Sequence, residues 1–473
     1  MMHRGKPRLR PTIGNGIISR VNGTPLKQIP ARLIEWALPY WTRGEAGRQT
    51  PQDLFRVLYL GWLAAFVLKV LGSSWDVSWH FKWLRDDLAP PHLLNTVGTV
   101  IAVALTIVHW YTGYGVDRTS SRLIVWGTGV FLIAIPLDLI NHRVNGIDIT
   151  AWSPSHALLY IGTALMLAGA IRGWYLGSGR YAEITRGRRA LVLGGLFAFF
   201  LENVHFPELQ QEYGVLELAS WDRGQPYAEP TLLEFAANQM GQAVDRAMVL
   251  KFSLPIPDVV YALYAGVVGV AVLVFARVMV GRRYTATAIA GAYVAYRCLI
   301  WPLLVGGGFP PSAVPFFLLL AGLAVDLAFL VPIKQLRPLM GAVLATAGVY
   351  GGLLAQDRVL EAPPYAPQAW PVALAALVVV WYAVEWFTGR KGLTAAAAED
   401  RIAMETRTAE TEGTAEHGTS RDAGSDAESE AASGAASAPA AVSEAASGAG
   451  SETGSETGSE VTPAPAAVSK PRP

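Results

Sequence analysis

Four of the eight histidines in this chain fall in two stretches that repeat one another. The first reads Asp76-Val-Ser-Trp-His80, then Arg85-Asp86, then Pro90-Pro91-His92. The second reads Asp138-Leu-Ile-Asn-His142, then Ile147-Asp148, then Pro154-Ser155-His156. In each, aspartate precedes histidine by four residues and the next aspartate follows six later; the final interval is six in one copy and eight in the other. Beyond the last histidine the copies stay in step, with Leu94 matching Leu158 and Gly98-Thr99 matching Gly162-Thr163. The pattern implies a duplicated helix–loop–helix unit.

The residue types suit a metal ion. Side chains at i and i+4 share a helix face, so Asp76 and His80 project together from one helix end, as do Asp138 and His142. Proline is tolerated in the first turn of a helix, where the N–H groups have no partner, so His92 and His156 each open the returning helix. Two imidazoles and a carboxylate then converge from adjacent helix ends. This donor set favours copper, zinc, iron or nickel over magnesium or calcium. Asp86 and Asp148 can supply a fourth ligand, or accept the second ring N–H of a ligating histidine. The plainer reading is an acid–histidine hydrogen bond at each helix end. The coincidence of order and spacing in two copies favours the metal.

The elements that must position these groups are apolar helices. Of 473 residues, 52% are hydrophobic and 16% charged, and the mean hydropathy is +0.31. Soluble domains carry roughly a quarter charged residues. A bilayer core of about 30 Å needs about 20 apolar residues per helix, and that template fits about ten times. The fits lie near 54–75, 92–115, 121–140, 154–176, 188–205, 255–281, 285–305, 312–332, 338–355 and 370–388. The expected fold is therefore all-α, a polytopic integral membrane helical bundle with a tandem helix–loop–helix repeat at about 54–115 and 121–176. A net charge of +1 argues against a nucleic-acid partner. The single cysteine, Cys298, excludes an intrachain disulfide, a thiolate zinc site and a Cys-ligated iron–sulfur cluster.

Three regions result: a basic N-terminal arm over 1–53, a transmembrane domain over 54–391 and a tail over 392–473. The tail, rich in Ala, Gly, Ser, Thr and Glu, buries too little apolar surface to offset its ordering entropy, and is expected to be disordered. Lys and Arg concentrate in alternate loops, which by the positive-inside rule makes both termini cytoplasmic in a multi-pass protein of the cell membrane. Both acid–histidine loops then face outward, with the acidic connection 206–253, where Leu232 to Phe252 reads as a helix on the outer surface or capping the bundle.

Other polar residues in the spans invite the same question. Glu202 and His205 share a face at the outer end of the fifth span and either contribute to a combined site or bond to the outer loop. His109 reads as an interfacial histidine. Arg297 and Asp326 are expected to pair with each other or line a polar cavity, since either alone would be costly in lipid.

The run through Asp76, Trp79, His80, Arg85, Asp86 and His92 resembles the metal-binding loop in the C subunit of particulate methane and ammonia monooxygenases. In the second copy the match falls on Asp138, His142 and His156, with Trp152-Ser153-Pro154-Ser155 similar to the family's aromatic-Thr-Pro-Ser run; Asn141 and Ile147 depart from it. The resemblance spans only this loop, seen twice. It implies a copper site in a helical membrane subunit, with partner subunits and a small apolar substrate, and makes Asp76, His80, His92, Asp138, His142 and His156 the ligands. No catalytic residue is assigned. A membrane transporter or metal-handling permease, and a non-catalytic assembly subunit, stand as the alternatives.

Overall fold

The computed structural model describes residues 34–84, 88–146 and 150–389. Most of the N-terminal arm, the tail, Asp86 and Asp148 lie outside them. The described residues form an all-α bundle, and nine of its helices are long and apolar enough to cross a membrane.

Two antiparallel hairpins carry the repeat. The first pairs α1 (Gln52–His80) with α2 (Pro90–Thr112), and the second pairs α3 (Arg118–Asn145) with α4 (Pro154–Gly177). The local sequence sets their ends. Pro51 precedes α1, Pro90 and Pro91 open α2, and Gly113 closes it with a left-handed φ of 71°. Asp117 caps α3 by accepting from Thr119 N and Ser120 N at 3.1 and 3.2 Å. Ser153 caps α4 by accepting from His156 N at 3.3 Å. Each cap satisfies helix N–H groups that have no partner within the helix.

The paired glycines of the repeat mark where each hairpin crosses. A Cβ on Gly98 would stand 2.8 Å from Ala65 O, and one on Gly162 would stand 2.7 Å from Phe131 N and 2.8 Å from Gly127 O. Ala65 and Gly127 each lie eleven residues before the first aspartate of their copy, so the duplication extends to the packing. Gly162→Val is expected to cost about 1–3 kcal/mol through overpacking, read as a lowered thermal midpoint in detergent. Gly129→Ala, which points into open space, should change little.

Behind the hairpins run α5 (Arg186–His205), α9 (Val259–Val280), α10 (Thr285–Gly306), α12 (Arg337–Asp357) and α13 (Trp370–Gly389). Their shared core includes Trp62, Phe197, Leu201, Tyr261, Phe317 and Trp381. Helix α9 holds a π-helical turn over Ala265–Gly269.

Two expectations need correction. The span expected over 312–332 is a helix of only 12 residues, α11 (Phe317–Ala328). Pro310, Pro311 and Pro315 delay its start, because proline lacks the N–H and restricts the residue before it. The helix expected over Leu232–Phe252 is two, α7 (Pro230–Met240) and α8 (Arg246–Ser253). Gly241, at a left-handed φ of 62°, ends one, and Asp245 caps the other by accepting from Met248 N at 2.9 Å. With α6 (Leu209–Asp222) they form a helical cap over one end of the bundle, around Tyr213, Leu232, Leu233, Met248 and Phe252. Phe81, just past α1, joins that core. A bidentate pair, Arg246 Nε and Nη2 to the Asp222 carboxylate at 2.7 and 2.9 Å, ties α8 to α6.

Candidate metal centre

Both histidines that begin a returning helix occupy its third position, and both i, i+4 acid–histidine pairs end the preceding one. In the first hairpin, Asp76 Oδ1 stands 2.7 Å from His92 Nε2 and 3.5 Å from His80 Nε2. The two imidazole centroids are 5.8 Å apart. In the second, Asp138 Oδ1 is 3.5 Å from both His142 Nε2 and His156 Nε2, with ring centroids 6.3 Å apart. Among the described residues these two trios, Asp76–His80–His92 and Asp138–His142–His156, are the groups whose ligand atoms all lie within 4.8 Å of one another. Asp86 and Asp148, the additional ligands expected from sequence, lie outside the described residues.

The spacing fits a shared ion. Ligand atoms about 2.1 Å from one tetrahedral ion are separated from each other by about 3.4 Å. The two acid–imidazole separations of the second trio match that; in the first trio the shorter is instead a direct hydrogen bond. His142 adds a further constraint. Its Nδ1 lies 3.1 Å from Gly146 O, a carbonyl that can only accept, so Nδ1 carries the proton. In the neutral ring Nε2 then presents its lone pair to the Asp138 carboxylate. Two electron-rich atoms at 3.5 Å are reconciled by a positive charge between them, a proton or a metal ion. A carbonyl that fixes the tautomer of a ligating histidine is also the usual partner of a metal site.

The cap holds both loops. Glu229 Oε1 accepts from Trp83 Nε1 at 2.6 Å, and Glu229 N donates to Lys82 O at 3.0 Å. Lys82 Nζ also donates to Gly308 O. Gln210 Oε1 accepts from Ala151 N in the second loop at 2.8 Å. Trp75, Trp79 and Trp83 gather around Phe309 at 6.0, 6.0 and 5.1 Å between ring centroids.

The remaining polar residues of the spans are placed elsewhere. Neither Glu202 nor His205 belongs to a trio. His205 Nε2 lies 2.8 Å from Glu212 Oε1 of the cap, which also accepts from Tyr261 OH at 2.9 Å. His109 is buried, accepting from Trp62 Nε1 at 2.9 Å and donating through Nδ1 to Tyr114 O at 2.7 Å. Arg297 and Asp326 do not pair with each other. Arg297 binds Glu212 Oε2 at 2.5 Å, and Asp326 binds Arg277 Nε at 3.0 Å.

One buried ionisable group escaped the sequence reading. Lys69 donates to Asn95 Oδ1 at 3.1 Å and Thr99 Oγ1 at 3.3 Å, with Nζ 3.7 Å above the Phe131 ring. It lies seven residues before Asp76, and Phe131 lies seven before Asp138. The two hairpins thus meet through equivalent positions, one cationic and one aromatic. A lone lysine inside the apolar run 54–75 was the available signal.

Compared with protein-family models, curated proteins and solved structures, the chain matches none.

Proposed function

We propose that this membrane protein binds transition-metal ions at its two Asp–His–His trios, one per hairpin, on the outer face of the bilayer. The carrying observation is the second trio, where one carboxylate oxygen stands 3.5 Å from two imidazole nitrogens. With its Nδ1 bonded to Gly146 O, His142 turns a lone pair toward the Asp138 carboxylate, a pairing that a metal ion between them would satisfy. Two nitrogens and one oxygen suit copper, zinc or iron, and the loop resemblance favours copper. Among the described residues each trio offers three ligands, and a site of three protein ligands keeps a coordination position for a small molecule, as catalytic metal sites do and closed structural sites do not. On that ground the resemblance extends the proposal to an oxidase- or monooxygenase-like subunit acting on a small apolar substrate with membrane partner subunits. A permease pathway would run through the ionisable residues of the later spans, and Arg297, Asp326 and Glu385 are each engaged in an ion pair instead.

The test is metal analysis of the purified full chain after copper loading. The wild type is expected to retain two equivalents, and His80→Ala combined with His142→Ala to retain none. Unchanged stoichiometry in the double variant removes the proposal.

A further inference from the structure

Where the chain leaves the cap and enters α9, the end of α12 and the segment leading into α13 border an open cavity of about 850 Å³. Small-molecule sites are commonly about 300–1,000 Å³. Asp258, Asp357, Tyr365 and Gln368 line the cavity, with Pro363 and Pro367 among its apolar walls, and among the described residues no cationic side chain does.

Tyr365 is the decisive member. It is 8% exposed and packs in the main core, yet its hydroxyl has no hydrogen-bond partner among the described residues. Buried polar groups are ordinarily satisfied, so whatever fills the cavity must serve that hydroxyl. Both carboxylates are likewise unpaired among the described residues. Asp258 directly precedes α9 but caps none of its N–H groups with the side chain. Asp357 ends α12, where the negative end of the helix dipole disfavours an anion and favours a cation. Arg358 follows it in the chain, but Glu361 lies three residues on, and neither lines the cavity.

The cavity therefore calls for positive charge on an apolar body. A calcium-like ion takes about six to eight oxygens and makes no use of proline walls. An alkylammonium ion uses every feature. Its charge meets the carboxylates, the tyrosine ring offers a cation–π face, and its hydrocarbon lies against the prolines. Two carboxylates match a charge at each end of one alkyl chain. Proline fixes φ, so the rim is shaped before the ligand arrives and the ordering cost of binding is small.

We propose that the cavity at Asp258, Asp357 and Tyr365 binds a small alkylammonium ion, with diamines preferred. The inference does not depend on metal binding at the trios.

The experiment is isothermal titration of the full chain, stripped with chelator and held in non-ionic detergent, with diaminobutane dihydrochloride. Sodium chloride at matched ionic strength and calcium chloride are the control arms. One saturable site per chain is expected for the diamine. Asp258→Asn combined with Asp357→Asn should keep the thermal midpoint, because both side chains are exposed, and weaken binding by about tenfold or more. Tyr365→Phe, which removes only the hydroxyl, should weaken it by about threefold. His80→Ala combined with His142→Ala should bind the diamine as the wild type does. No saturable binding, or affinity unchanged in the double aspartate variant, overturns the proposal. Displacement of the diamine by an equal concentration of calcium would mean a metal site and overturns it as well.

Discussion

Arg297→Met is expected to destabilise the bundle by about 3–5 kcal/mol, the range for removing one partner of a buried ion pair. The guanidinium is 2% exposed and spends its donors on four groups: Glu212 Oε2 at 2.5 Å, Ser312 Oγ at 2.8 Å, Ala313 O at 3.2 Å and Tyr293 OH at 3.2 Å. Methionine fills similar volume but, among the described residues, leaves the Glu212 carboxylate with His205 and Tyr261. It also loosens the non-helical segment before α11, which Ala313 N to Glu212 O at 2.8 Å and Lys82 Nζ to Gly308 O still hold. Chemical unfolding in detergent reads the loss. Arg297→Met combined with Glu212→Leu should recover part of it, because no charge is then stranded. Strictly additive costs in the double variant would show that the two residues are not coupled.

The same residues show what a sequence can and cannot give. The two trios were legible because their residues are local, spaced four apart on one helix end or set by prolines at the start of the next. Duplication multiplied that signal. The spans were legible because burial in lipid demands long apolar runs. Partnership was not legible. Arg297 stood out as a charge in a span, yet its partner Glu212 lies 85 residues away, in a connection that reads as an acidic outer loop. The shortness of α11 follows from prolines visible in the sequence, but hydropathy alone overrides them. Lys69 was hidden by the strongly apolar run around it; its hydrogen bonds to Asn95 and Thr99 cross from one helix to the other and appear only once the hairpin is closed.

Asp138→Asn is expected to weaken metal binding at the second trio by more than about a hundredfold. Partners that merely orient a ligand are worth about 10–100-fold, and this carboxylate supplies both a bond and the neutralising charge. Asparagine keeps the shape, so the first trio should still load and the stoichiometry should fall from two to one, read by elemental analysis after copper loading and desalting. Asp76→Asn should do the reverse. The two sites should also fill in order. At the first, an ion must break the 2.7 Å hydrogen bond between Asp76 and His92 and displace its proton, which makes binding there steeper in pH. At the second, Asp138 already stands back 3.5 Å from both rings, and Gly146 O already holds the proton of His142 on the far nitrogen. Stepwise titration at fixed pH should therefore saturate the Asp138 trio first. Loss of the high-affinity step in Asp76→Asn instead would reverse that assignment, because the shorter contact would then belong to the tighter site.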